Sequence, residues 1–257
     1  MNSDPDDKPF FIGWADPPAA DRRFFWRAGL GLMAGAATLG LGLAASQSAP
    51  GPGTWNPDDI RQWRGIVSAT PYAMLRTLDL GGGPRTALLS CLGKCGVAAR
   101  IGALAGQAVV LTGSLIQRGA QTMIAVDEGS DWIRRDERAL PDETLALLAF
   151  PALQALGALS LTGEVLDSKC WFGAMRPSTG KTHKACASLC IRGGIPPAFF
   201  VQGVGNQAAL MIMADQGRAY GPELLGLVGE PLRVSGQVFR QGDLLWLHAP
   251  VSAMQRA

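Results

Sequence analysis

The second half of the chain repeats the first, and the repeat confines the fold to a pair of small, tightly bent β-units. Gly106-Gln-Ala-Val-Val-Leu-Thr-Gly113 precedes SLIQRGAQTMIAV, and Gly229-Glu-Pro-Leu-Arg-Val-Ser-Gly236 precedes QVFRQGDLLWLHA. Each copy sets two glycines seven residues apart, turns near Gly119 or Gly242, and closes on an apolar strand. Upstream, Arg64-Gly-Ile-Val matches Thr162-Gly-Glu-Val, and Leu88–Gly93 matches Leu210–Gly217. In the first copy the strand candidates are Gly65–Ser68, Ala87–Cys91, Ala108–Gly113 and Thr122–Val126, with a helical turn near Ala98–Leu104. Strand, strand, short helix and closing hairpin is the order of small five-stranded barrels of the OB type. Glycines serve the bends and bulges such barrels need. The expected fold is therefore mainly β: tandem small OB-like barrels after one N-terminal transmembrane helix. Two unrelated small β-domains, or one larger sandwich, would show similar turn spacing.

The helix expectation comes from charge. Ala28–Ala45 holds no charged residue over 18 positions, the length a bilayer-spanning helix needs. Arg22, Arg23 and Arg27 lie before it, and the next basic residue is Arg61. The positive-inside rule then places the N-terminus in the cytoplasm and the body outside, the periplasm of a Gram-negative bacterium. Phe24, Phe25 and Trp26 at the boundary suit an interfacial belt. A cleaved signal peptide and a buried soluble helix are the competing readings. The division expected is a cytoplasmic tail (1–23), an anchor (24–45), a Ser/Pro/Gly linker (46–58), a first unit (59–127), a connector (128–160) and a second unit (161–250). A second apolar run, Thr144–Leu161, is interrupted by Pro151 and Gln154, which fits a packed helix followed by a strand better than a second span.

The copies differ in one place. The stretch from Gly163 to Gly229 exceeds that from Gly65 to Gly106 by about 25 residues, and the extra length carries Cys170, His183, Cys186 and Cys190. Closing a barrel does not require it, so it is the expected seat of function. A helix starting near Thr182 places His183, Cys186 and Cys190 on one face, with Cys170 approaching from the preceding strand. Three thiolates and an imidazole suit tetrahedral zinc or a softer ion such as Cu(I). The same residues suit a disulfide from Cys170 to Cys186 or Cys190 that ties the insertion down, with no metal at all, or a redox-active thiol pair. Lys169, Lys181 and Lys184 would lower a thiol pKa if close, and otherwise form a solvated basic face. Cys91 and Cys95 read as a local disulfide or as two isolated residues. A four-cysteine site joining the units is a further arrangement. His248, at the end of the last strand, reads as a satisfied rim histidine. Glu164 and Asp167 alternate to opposite faces of their strand and make no catalytic acid pair.

The run GEVLDSKCWFGAM…GKTHKACASLCIRGGIPP, with WRGIVSATPYAMLR and an N-terminal anchor upstream, resembles a family of bacterial membrane-anchored proteins. Cys170, Gly173, Met175, His183, Cys186, Cys190, Gly193, Gly194 and Pro196 carry the resemblance, which brings no activity with it. In architecture, a tethered OB unit is also similar to the periplasmic haem chaperone of cytochrome c maturation, whose haem-attaching histidine motif has no counterpart here.

GxSxG, P-loop, HExxH and CxxCH sequences are all missing from the chain. A formal net charge of +2 gives no footprint for nucleic acid. The expectation is a single-pass inner-membrane protein that acts as a non-enzymatic binding or accessory subunit of a membrane redox complex or metalloenzyme. The alternative is thiol-redox or metal transfer through Cys170, His183, Cys186 and Cys190.

Overall fold

A computed structural model describes residues 20, 22–30, 51–79, 81–127, 129, 131–138, 140–203 and 208–257. Residues 22–30 form helix α1, with Phe24, Phe25 and Trp26 exposed, in the first of the two units into which the chain divides (Met1–Ser48). The greater part of the expected anchor lies outside the described residues. Among the described residues no helix is long and apolar enough to cross a membrane.

The body, Ala49–Ala257, contains two closed five-stranded barrels. In the first, β1 (Thr54–Ser68), β2 (Met74–Leu78), β3 (Pro84–Cys91), β5 (Gln121–Val126) and β4 (Ala108–Arg118) follow one another, and β4 pairs back onto β1. β3 and β5 run parallel; the other neighbours run antiparallel. Helix α2 (Ala98–Ile101) and a 3₁₀ turn lie between β3 and β4, and β6 (Ile133–Arg135) flanks β4. The second barrel repeats this order with β7 (Gln154–Asp167), β8 (Pro197–Gln202), β9 (Ala208–Ala214), β11 (Leu244–His248) and β10 (Pro231–Gln241). Its parallel pair, β9–β11, occupies the equivalent place, and β12 (Met254–Arg256) flanks β10. The topology is consistent with the tandem OB-like units expected from the repeat.

The repeat glycines explain themselves in this geometry. A Cβ on Gly65 would strike the Arg76 carbonyl of β2, and one on Gly163 would strike the Phe200 carbonyl of β8. At the same point of each barrel the first two strands cross too closely for any side chain.

Several boundaries differ from expectation. Thr54–Asp58, expected in the linker, open β1, where Trp55 Nε1 donates to Ser114 Oγ at 2.8 Å. β7 begins at Gln154, inside the expected connector, and β12 carries the second unit to Arg256. β2 was not among the expected strands. Four of its five residues are buried, so Arg76 and Thr77 lack the solvent-facing alternation that marks a strand. The run Thr144–Leu161 divides as expected around Pro151, into α3 (Asp142–Leu148) and the start of β7.

Three apolar cores follow from strand alternation. Val67, Leu75, Leu89, Leu111 and Ile124 fill the first barrel, and Val165, Phe199, Met211, Val234 and Leu247 fill the second. A third core lies between the barrels and draws on both: Tyr72, Met74, Leu88, Ile116 and Met123 meet Leu166, Ala198, Ile212 and Trp246. Leu88 and Leu89 thus serve different cores from adjacent positions of β3, as the period of two requires. Polar contacts fix the register of this junction. Tyr72 Oη donates to the Met213 carbonyl at 3.0 Å. Arg76 Nη1 donates to Asp243 Oδ1 at 2.9 Å, while both Asp243 oxygens accept from the Thr86 amide at 3.1 and 3.0 Å.

Arg76 is only 6% exposed, so its guanidinium depends on that carboxylate. Asp243→Ala is expected to destabilise the body by about 3 kcal/mol, as removal of one partner of a buried pair does. Denaturant titration at neutral pH, followed by tryptophan fluorescence, would read the loss as a lower midpoint.

Candidate metal and thiol centre

The long insertion replaces the short β1–β2 connection with Ser168–Pro196, between β7 and β8. Its entrance is built by Asp167, the last residue of β7, which is fully buried. Oδ1 of Asp167 accepts from the Cys170 amide at 2.8 Å, and so caps the turn that holds Cys170. Trp171 and Phe172 then enter the core between the barrels, and the chain reverses at Gly173 (φ +149°), where a Cβ would meet the backbone of Gly53 and Thr54. After Gly180 the chain enters helix α4 (Lys184–Arg192), with His183 at its N-cap and Gly193-Gly194 at its end. His183, Cys186 and Cys190 do share the face expected of them. Ala187 and Ile191, on the neighbouring face, pack into the core of the second barrel.

The candidate residues converge. Donor atoms of Cys170, His183 and Cys186 lie within 4.8 Å of one another, and so do those of Asp167, Cys170 and Cys190. Asp167 links the two groups. Its Oδ2 lies 2.9 Å from His183 Nε2, and both residues are buried. A carboxylate only accepts hydrogen bonds, so Nε2 is the donor of this contact. Both Asp167 oxygens thereby hold Cys170 and His183 in place, and the carboxylate keeps further lone pairs beside Cys170 and Cys190. A carboxylate behind a histidine is the usual support of a metal-ligating imidazole.

Cys170, Cys186 and Cys190 carry free thiols, and Sγ of Cys170 lies 3.9 Å from Sγ of Cys186. Hydrogen bonding to Cys190, burial and the nearby Asp167 charge hold the Cys170 thiol well above its ordinary pKa. The same bond, with Cys190 as acceptor, draws Cys190 below its own. Cys170 and Cys190 are closed to solvent, and Cys186 is partly open.

The disulfide of this structure is in the first barrel. Cys91 and Cys95 are bonded, as one reading of the sequence allowed, and their loop reaches the insertion. Lys169, expected on a solvated face, is instead 3% exposed, and its ammonium donates to the carbonyls of Cys91, Leu92 and Gly93 at 2.6, 2.8 and 2.8 Å. The Gly96 amide donates to the Gly193 carbonyl at 2.8 Å, and a Cβ on Gly193 would collide with the Lys94 carbonyl. So held, Lys94 Nζ donates to Cys186 Sγ at 2.7 Å, and this contact holds the Lys94 pKa above its usual value. Lys181 and Lys184 face away from the thiols, toward Glu230. A four-cysteine site does not form: Cys91 belongs to the interior of the first barrel, while Cys170 and Cys190 belong to the core between barrels. His248 lies at the far rim, half-buried against Phe239 at 4.6 Å, and burial lowers its pKa. Glu164 accepts from the Gly180 amide, and burial raises its pKa.

Sequence reasoning missed Asp167 as the partner of His183, and Lys94. The first had a signal: an aspartate three residues before Cys170 is a turn-capping pattern. The second had none, because it depends on how the barrels pack. Comparison with known protein families, with curated proteins and with solved structures finds no match to the chain.

Of the three thiols, only Cys186 is open to a reagent. Maleimide treatment of the native protein should label one thiol, mapping to Cys186 by peptide mass spectrometry, and denaturation should expose Cys170 and Cys190. Gly193→Ala, which pushes the Lys94 loop off the helix, is expected to speed native labelling of Cys186 severalfold.

Proposed function

We propose that this chain is a membrane-tethered periplasmic accessory protein whose loop-borne centre binds a soft metal ion, with Cys170, His183 and Cys186 as its converging ligands and Cys190 beside them. The observation that carries this reading is the Asp167–His183 hydrogen bond beside clustered free thiols. It makes the imidazole a hydrogen-bond donor to a buried carboxylate, the usual support of a metal-ligating histidine, beside the sulfurs. Zinc and Cu(I) are the ions that such a donor set suits. The tether rests on the charge-free run after Arg27 and on its flanking arginines. The barrels, read as OB-type units, serve as a rigid frame for the insertion. The proposed partner is a membrane redox complex or metalloenzyme that receives the ion or depends on it.

A second reading has its own observation. Cys170 and Cys186 lie within 3.9 Å, and the outer thiol carries an ammonium contact. As a thiol-redox pair, the two would lose two electrons and two protons to a disulfide acceptor and emerge as one disulfide.

Both readings are separated by metal content and free-thiol count on one sample of the full chain, purified in mild detergent without reductant or chelator. The metal reading expects about one ion per chain. Asp167→Asn should weaken binding roughly 10- to 100-fold, and His183→Ala should weaken it at least as much. A metal-free protein with Cys170 bonded to Cys186 would favour the redox reading. A metal-free protein with three unreactive thiols would overturn both.

A further inference from the structure

We propose that the chain pairs with a second copy of itself through the free edge of β7, in an antiparallel strand pair centred on Ser160. The inference is independent of both readings of the thiol centre. β7 pairs with β10 along residues 154–164, but with β8 only along residues 164–167. On the β8 side, residues 154–163 therefore have no partner strand among the described residues, and no loop backbone bonds to them. Residues 152–156 and 158–160 are exposed, with Leu153 at 45%, Leu156 at 40% and Leu159 at 36%. A strand edge left open in this way is a template for pairing with another chain.

The first barrel has the same edge and blocks it. β1 pairs with β2 only along residues 65–68, so residues 54–64 are one-sided there too. That stretch carries Pro57, Asp58, Asp59, Arg61 and Arg64, and its register with β4 breaks between Trp55 and Ile60. Proline, charges and an irregular register are the devices that keep an edge from pairing. At the equivalent place the second barrel has lost the charges and the proline. No charged residue lies between Glu143 and Glu164, and Pro151 precedes the strand. One irregularity remains, at Gly157 (φ +124°), and residues 158–163 beyond it run in unbroken register with β10.

The missing charges also select the occupant. Two copies of one strand related by a two-fold axis pair antiparallel, so residues meet their own copies or near neighbours of them. A charged strand would then set like charges opposite one another, which destabilises the pair. The stretch 158–162 opposes none. With the axis at Ser160, Ala158 meets the partner's Thr162 and Leu159 meets the partner's Leu161. Strand alternation puts Ala158, Ser160 and Thr162 on one face and both leucines on the other, so like meets like across the axis.

The test uses the full chain in a mild, density-matched detergent, followed by sedimentation equilibrium over a range of protein concentrations. A reversible monomer–dimer equilibrium is expected. Two double variants, Ala158→Lys with Ser160→Lys and Ala158→Glu with Ser160→Glu, place like charges across the axis. Each should weaken the dimer about tenfold, and an equimolar mixture of the two should restore it, because Lys then meets Glu. All the altered positions are exposed, so the denaturation midpoints of the variants should match that of the unaltered protein. In the unaltered protein, amide exchange across residues 158–162 should slow as the concentration rises, and this measurement decides alone if a variant does not fold. A monomer at every concentration, a dimer that neither variant weakens, or exchange that ignores concentration would overturn the proposal. So would a dimer that both variants weaken and mixing does not restore, since the edge would then serve a strand of another kind.

Discussion

The burial of the Lys169 ammonium organises the junction on which the centre depends. An ammonium removed from water must find replacement dipoles, or the burial is prohibitively costly. Three consecutive carbonyls of the Cys91–Cys95 loop supply them, and the Trp55 ring lies 5.1 Å away. Consecutive carbonyls do not converge on one point in an extended strand, where they alternate in direction. The disulfide bends the chain after β3 into the tight loop that aims all three inward. One charged side chain from the second barrel is thus solvated by a covalently closed loop of the first.

The core between the barrels makes that arrangement possible and explains the composition. Outward positions on β2, β3 and β5 would face water in an isolated barrel; here Met74, Leu88 and Met123 face Ile212 and Trp246 instead. The strands involved are consequently buried on both faces. Two polar pairs span the junction, Tyr72 with the Met213 carbonyl and Arg76 with Asp243, while the buried indole Nε1 atoms of Trp171 and Trp246 have no hydrogen-bond partner among the described residues. Paired polar groups add directional preference to a contact that apolar packing alone leaves free to slide. The Arg118 guanidinium lies 4.0 Å over the Trp171 ring, and Trp171 packs on Phe200 with the two rings tilted by 43°.

Local chemistry was legible in the sequence wherever it repeats or punctuates. The glycines seven residues apart, the turns at Gly119 and Gly242, and the helix ending at Gly193-Gly194 all depend on neighbours in the chain. β2 was illegible because a strand buried on both faces loses its alternation. The start of β1 was illegible because Asn56, Pro57 and Asp58 read as linker, yet this segment is held to β4 from outside, by Trp55 on Ser114. Within the site, the grouping of Cys170 with His183 and Cys186 followed from helix period and strand exit. Lys169 was misread for a physical reason: a lysine is ordinarily solvated, and only a cage supplied by another domain reverses that. Such a cage cannot be inferred from residues within ten positions of it.

Two chemistries compete for the same sulfurs, and geometry ranks them. Cys170 and Cys186 must approach from 3.9 Å to bonding distance to form a disulfide, whereas an ion needs only to settle between sulfurs already close. Thiolates bound to an ion are withdrawn from exchange, since the free thiolate is the attacking species. Occupancy therefore protects the pair, and oxidation of the pair removes two of the ligands. On the metal reading, in an oxidising compartment the centre would persist only where the ion arrives before the oxidant or stays bound longer than the oxidant takes to act. Burial of Cys170 and Cys190 slows the oxidant. On the metal reading the same burial would slow the exit of the ion, so release to a partner would require the centre to open on the Cys186 side, where Lys94 stands.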